Sequence, residues 1–328
     1  MRRSIVAALA SLALYAGMFS SMEAAWAQEW PSRPIRLVVP YATGGAVDIV
    51  GRILAQNLSK TLGQSVIVEN RTGASGVVGT HAVAGAAPDG YALVIGTSGS
   101  LAINVHFMTK KLYDPLKDFA PISLIAINDG ILIVNPSFPA KSIAEFIETV
   151  RKAPGRYSYA TSGIGGPTHL AAELLGARAG LSMVHVPYSK GDGFGVLDVI
   201  AGNVPVMFTV LAAVAQHVKS GKVRPVAALG AQRFTQLPDL PTVAESGYPG
   251  YAAGAWLALL APAGTPREVV AALNEATRKA TADPAYRARL VEMGSTPVGN
   301  TPDELASYMR DELDKWGGVI RNAGIKPE

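Results

Sequence analysis

Ile35-Arg36-Leu37-Val38-Val39-Pro40-Tyr41-Ala42-Thr43-Gly44-Gly45-Ala46-Val47-Asp48 carries a strand, a turn and a helix start in one unbroken stretch. The β-rich run 35–39 suits a buried strand. After the glycine pair, apolar residues recur at Val47, Val50, Ile53, Leu54 and Leu58, which predicts a helix over 47–60. The same grammar returns at Thr161-Ser162-Gly163-Ile164-Gly165-Gly166-Pro167-Thr168. It follows a strand expected over 157–160 and precedes a helix over 167–175, with Pro167 suited to the first turn.

Working outward, runs 65–69 and 91–95 read as buried strands, bounded by Arg71-Thr72-Gly73 and Pro88-Asp89-Gly90. A second set has strands over 131–134, 183–186, 204–208 and 223–229, with helices over 142–152, 193–201 and 211–220. Strands alternating with helices predict βαβ units and mainly parallel sheets. Beyond the apolar run 256–260 the pattern turns helical over 267–280, 284–292 and 302–320, with Thr265 or Thr301 placed to cap. Two α/β groups with a helical tail predict two lobes. Lobe one takes about 28–129 plus 251–328 and lobe two about 130–250, with crossings near 127–130 and 248–251.

Met1-Arg2-Arg3, the apolar run 5–19 and Ala25-Trp26-Ala27 have the order of a secretory signal peptide, residues 1–27. The rest is expected to work in the periplasm as a soluble, unanchored protein. The 328 residues include no cysteine, so stability must come from apolar cores rather than disulfides. Without Arg2, Arg3 and Glu23 the chain has 27 basic and 24 acidic residues. A net of +3, with no basic cluster and few aromatics, argues against nucleic-acid binding.

Enzyme motifs fail on spacing. Gly96-Thr97-Ser98-Gly99-Ser100 and Gly73-Ala74-Ser75-Gly76-Val77 both miss the final glycine of a nucleophile elbow. Gly163-Ile164-Gly165-Gly166 is not a dinucleotide loop, and His81, His106, His169, His185 and His217 form no metal-ligand pattern. No cofactor or metal is expected. What recurs is a helix started by glycine, whose bare N–H groups suit carboxylate or phosphate oxygens. Two such turns on facing lobes would clamp one anion; alternatively the glycines only make tight turns. Asp48 is expected to cap N–H groups rather than face an anion, and His169 to donate either to an acid or within the fold. Arg71 has two readings, a carboxylate contact or an ion pair with Glu69 or Asp89. Tyr188 reads as cleft lining and Lys190 as a solvated charge.

The ordered landmarks Arg33-Pro34-Ile35, Val38-Val39-Pro40-Tyr41, Gly44-Gly45-x-x-Asp48, Val68-Glu69-Asn70-Arg71 and Pro88-Asp89-Gly90-Tyr91 continue through Gly165 to His169, Glu173-Leu174 and His185-Val186-Pro187-Tyr188. They end with Leu237-Pro238-Asp239-Leu240-Pro241-Thr242, Glu245-x-Gly247-x-Pro249-Gly250, Trp256 and Ala261-Pro262-Ala263-Gly264-Thr265-Pro266. In this order they resemble the tripartite tricarboxylate transporter substrate-binding proteins, the Bug receptors. The resemblance implies a type II periplasmic-binding-protein-like fold that closes on a small organic acid and delivers it to membrane permease subunits. It implies that the Gly44-Gly45 region and the loop from Ser162 to Thr168 hold the carboxylate and that Asp48 organises that part of the cleft. The full ligand-binding set expected is Tyr41, Thr43, Gly44, Gly45, Asp48, Ser75, Ser98, Ser162, Gly165, Gly166, Thr168, His169, Tyr188 and Phe208, and a monomer is the default for a domain that must open and close. Ala42-Thr43 and Ala46-Val47 around the first glycine pair, and Ser189 before Lys190-Gly191, depart from the family pattern. Phe194 and Tyr188 as an apolar wall favour an aromatic or longer aliphatic acid over citrate. Two rival readings remain: an exported hydrolase or lyase using Ser75, Ser98 or Ser162, and a sensor module for a membrane receptor.

Overall fold

The computed structural model describes residues 30–188 and 192–325, so residues 1–27, expected from sequence to be a signal peptide, and Lys190 lie outside the described residues. In chain order the main elements are β1 (Ile35–Val39), α1 (Ala46–Leu62), β2 (Val66–Asn70), α2 (Val77–Ala84), β3 (Ala92–Thr97) and β4 (Phe119–Val134). Then come α3 (Ile143–Arg151), β5 (Ser158–Thr161), α4 (Pro167–Ala179), β6 (Val184–Pro187), α5 (Asp192–Ala201), β7 (Val206–Val210), α6 (Leu211–Lys219) and β8 (Arg224–Ala228). The chain closes with β9 (Gly254–Pro262), α7 (Arg267–Ala282), α8 (Pro284–Glu292), β10 (Thr296–Pro297) and α9 (Pro302–Ala323).

The strands run in the order β2-β1-β3-β9-β4-β7-β5-β6, with β8 and β10 also on β4. Within each lobe the βαβ units are parallel: β1 with β2 and β3, and β5 with β6 and β7. The lobes are joined by antiparallel pairs. β4 lies against β9 from Phe119↔Pro262 to Asp129↔Gly254, then against β7 from Gly130↔Val210 to Val134↔Val206. The sheets are therefore mixed rather than mainly parallel. A chain that leaves one lobe along β4 and comes back along its neighbour β9 has to run antiparallel to itself.

Most of β4 escapes the sequence pattern, which marks only 131–134. Pro121 lies inside it, and the register shifts at Pro121/Ser123 and Leu124/Ala126, where bulges interrupt the alternation. α2 is likewise unannounced. The capping expectations divide: Thr301 and Glu304 form a capping box on α9, whereas Thr265 donates to the Pro262 carbonyl and leaves Pro266 at the start of α7.

One core serves lobe one, around Leu37, Leu54, Leu93 and Leu273, and another serves lobe two, around Ile131, Val199 and Met207. A third runs through both lobes and includes Trp256, Met309 and Trp316 with Leu170, Leu174 and Phe208. α9 is fixed there by the buried Glu312 carboxylate. It accepts from Trp256 Nε1 at 2.8 Å and Trp316 Nε1 at 2.7 Å, and pairs with Lys315. Lys315 also donates to the Ala252 carbonyl at 3.0 Å, on the chain's return into β9.

Candidate functional site

The first glycine turn leaves β1 and opens α1. Gly44 takes a positive φ of 82°, and Gly45 sits at the N-cap with no side-chain cap, so first-turn N–H groups stay free of protein acceptors. Asp48 is 1% exposed and turned away from that opening. Its carboxylate accepts from Gly44 N–H at 2.9 Å, Arg52 Nε at 2.9 Å and Asn70 Nδ2 at 2.8 Å. Burial pushes the Asp48 pKa up, but these donors outweigh it and hold the carboxyl below its ordinary range. Asp48 thus orders the loop.

Beside it, Tyr41 reaches across to the segment before α2. Its hydroxyl meets the Ser75 carbonyl at 3.0 Å and Thr97 Oγ1 at 2.9 Å, and Asn104 Nδ2 donates to the same carbonyl at 3.2 Å. Ala74 and Ser75 have positive φ values of 44° and 50°, a strained pair for residues other than glycine. Tyr41 and Asn104 hold that strain in place.

The second turn leaves β5 and opens α4. Gly166 is its N-cap, again without a side-chain cap, and Pro167 follows at the first position. Ser162 N–H donates to Thr168 Oγ1 at 3.2 Å and the two hydroxyls meet at 2.8 Å, while Gly165 N–H donates to His169 Nδ1 at 3.0 Å. With Nδ1 accepting, the His169 proton lies on Nε2, facing Glu173 at 3.6 Å. His169 therefore shapes the turn rather than reaching outward. Its ring stacks on His185 at 3.9 Å, and His185 Nε2 meets Thr161 Oγ1 at 2.6 Å.

The stack has a consequence for pH. Burial, and then the nearby His169, push the His185 pKa down to about 4, while burial pushes Asp129, at the crossing on β4, up to about 6. Between about 4 and the ordinary histidine value near 6.5, the unfolded chain binds the His185 proton and the folded chain does not, so stability falls as pH falls. Asp129 acts oppositely. The folded state keeps its proton up to about 6, so stability falls as pH rises through about 4 to 6. In urea titrations His185→Gln should flatten the acid-side loss, and Asp129→Asn should gain stability at pH 7.5 but not below pH 4. Parallel pH profiles for wild type and both variants would refute these assignments.

The two turns meet at one cavity of about 310 Å³. Lobe one contributes Tyr41, Val47, Ser75, Thr97, Ser98, Gly99 and Asn104, lobe two Ser162, Ile164, Gly165, Gly166 and Pro167, and the crossings Asn128, Ala255 and Leu257. None of these side chains is charged. Ser98 Oγ and Asn128 Oδ1 are buried with no hydrogen-bond partner, although Ser98 is only 1% exposed. A wider opening of about 570 Å³ continues past Ser75, Asn104, Ile164 and Gly165 toward Phe107 and Lys110.

Of the residues singled out from sequence, Tyr41, Ser75, Ser98, Ser162, Gly165 and Gly166 line the cavity. Thr43, Gly44 and Gly45 stand exposed beside it, between Tyr41 and Val47. Thr168 and His169 lie behind the second turn. Three assignments are displaced. Phe208 is 0% exposed and packs edge-on against Tyr159 in the shared core, Tyr188 gives its hydroxyl to Asp198, and Phe194 lies exposed on α5. The apolar wall is made instead by Val47, Ile164, Ala255 and Leu257. Arg71 is exposed and makes neither proposed ion pair, since Glu69 pairs with Arg36 and Asp89 with Arg33. Asn104, Asn128, Ala255 and Leu257 carry no motif, so only the fold brings them to the site.

The family model of the tripartite tricarboxylate transporter family receptor matches residues 50–325. The chain belongs to that family. It is 37% identical over 301 residues to Protein BugT of Bordetella pertussis, covering 92% of each chain. R. palustris Rpa4515, solved with adipate, is 36% identical with a TM-score of 0.75 over 92% of this chain and 100% of its own. MatC from Rhodopseudomonas palustris, solved with bound malate, is 33% identical with a TM-score of 0.70 over 89% of this chain and 100% of its own. The fold is the two-lobed α/β periplasmic-binding-protein fold, and the general role is that of a periplasmic solute receptor for a transporter of this class. Among the described residues of this receptor, no group of three or more His, Asp or Glu could hold a metal ion.

Proposed function

We propose that this receptor captures a small organic acid between its lobes and releases it unchanged to membrane permease subunits. The observation that carries the reading is the uncharged cavity bounded by two uncapped helix starts and lined in part by Ser98, whose hydroxyl is buried without a partner. A carboxylate there accepts from peptide N–H groups at the positive ends of α1 and α4, while Ser98 and Ser162 offer hydroxyl donors. Neutral donors in a closing, water-poor space bind a carboxylate without an opposing cation. The adipate and malate seen in two relatives support the same ligand chemistry here. The wall of Val47, Ile164, Ala255 and Leu257 favours an acid with an apolar midsection over citrate.

In this reading residues 1–27 are removed on export to the periplasm, lobe one is 28–129 plus 251–328, lobe two is 130–250, and the receptor is monomeric. The hydrogen bonding supports capture rather than turnover. Among the described residues His106, His169 and His185 bond to the Leu313 carbonyl, Gly165 N–H and Thr161, and no hydrogen bond joins a histidine to Ser75, Ser98 or Ser162. Thermal unfolding of the mature protein against mono-, di-, tri- and aromatic carboxylates tests the proposal. A bound acid at one hundred times its Kd stabilises by about 2.7 kcal/mol, enough to raise the melting temperature by several degrees. No shift with any carboxylate, or an acid consumed during incubation, would overturn it.

A further inference from the structure

Lobe two places a second set of polar groups beside the second glycine turn. Ser162 follows the end of β5, Thr209 lies one residue before the end of β7, and Asp192 opens α5. β5 and β7 are parallel, so both ends point to the same edge of the lobe, the edge from which Ser162 lines the cavity. Open α/β sheets bind ligands at such edges. Burial pushes the Asp192 carboxyl up, and the neighbouring Thr209 and Ser162 hydroxyls draw it partly back. Even so, Asp192 Oδ1 and Thr209 Oγ1 are buried and complete no hydrogen bond, and Thr209 is 0% exposed. A buried carboxylate oxygen is an acceptor and nothing else. Unpartnered next to Ser162, which lines the site for anions, it repels a plain dicarboxylate and needs a donor to satisfy it.

We infer that Asp192, with the Thr209 hydroxyl beside it, is a specificity-determining residue that selects acids carrying an ammonium or hydroxyl donor next to the bound carboxylate. The inference rests on the carboxylate clamp and adds what else the ligand must bear. The clamp holds the carboxylate by N–H groups from both lobes; the ligand's own N–H or O–H then turns into lobe two and donates to Asp192 Oδ1. A donor bonded to a charged acceptor is favoured strongly, whereas an acid lacking it leaves Asp192 desolvated against a second negative charge. Selection therefore works by repulsion as well as attraction.

Two matched series test this by calorimetry on the mature full-length protein: succinate, malate and aspartate, and adipate with 2-aminoadipate. The expected result is that the donor-bearing member of a series binds at least about ten-fold tighter than its plain parent. In Asp192→Asn that ratio should fall to about one, because the amide removes the charge that disfavours the plain acid and weakens the acceptor. Thr209→Val keeps the shape and removes the hydroxyl beside Asp192. It should stay folded and reduce the same ratio, so the test survives if Asp192→Asn folds poorly. Equal binding within each wild-type series, or a ratio unchanged in both variants, overturns the assignment while leaving the clamp intact. Binding by no member of either series overturns the assignment, and the clamp falls with it if the full carboxylate panel also fails to bind.

Discussion

Gly166→Val should leave the receptor folded and cost it on the order of 10²- to 10⁴-fold in affinity for its carboxylate. The position has an ordinary backbone, with φ −78° and ψ 168°, so a β-branched residue fits without strain. A Cβ there would meet only the Gly163 carbonyl oxygen, at 3.9 Å. The added side chain therefore enters the cavity that Gly166 lines and stands over the first-turn N–H groups of α4. Hydrogen bonds to a charged acceptor are worth about 1.5–3 kcal/mol each, and blocking two removes about 3–6 kcal/mol. Gly45→Val is the matching change in lobe one, slightly more crowded because its Cβ would lie 3.3 Å from the Ala42 carbonyl oxygen. Calorimetric titration with the best acid from the thermal screen, alongside circular dichroism melts, separates the two effects. A Gly166→Val protein that binds normally would remove the second turn from the site.

Glu312→Ala should have the opposite profile, a large loss of stability. The carboxylate is buried and serves Trp256 Nε1, Trp316 Nε1 and Lys315 at once. Truncation leaves two indole N–H groups without their acceptor and the Lys315 ammonium with only the Ala252 carbonyl, and opens a void where α9 meets β9. Breaking a buried charged network of this kind costs about 3–5 kcal/mol, and the melting temperature should fall by on the order of 10 °C. Glu312→Gln keeps an acceptor for an indole and should lose less. A melting temperature within a degree or two of wild type for Glu312→Ala would mean that water replaces the carboxylate, and that the network does not secure the C-terminal helix.

The fold was legible where local chemistry and tertiary need agree. The glycine turns at Gly44-Gly45 and Gly165-Gly166 start α1 and α4 where the apolar recurrence begins, and Thr301 caps α9 through its own local box. Legibility failed along β4, whose bulges and Pro121 break the alternation that identifies strands. It failed also for aromatic residues near the site. Phe208 and Tyr188 sit close in sequence to cleft segments, yet Phe208 fills the core, because a strand sends successive side chains to opposite faces, and Tyr188, just past the end of β6, bonds to Asp198. Asn104, Asn128 and Leu257 reach the cavity from separate elements, and no spacing in the chain encodes that meeting.

What the sequence by itself determined is the set of pieces: strand, bare turn and helix, repeated in two groups, with backbone donors rather than charged side chains offered at the turns. Those features are local, set by side-chain periodicity and by what glycine permits over a few residues. Only the tertiary structure decided that both turns open on one cavity, that β4 and β9 run antiparallel between the lobes, and that Asp192 and Thr209 are brought beside Ser162. Such facts depend on which distant segments pack together, and packing is fixed by the whole set of buried surfaces at once rather than by any stretch alone.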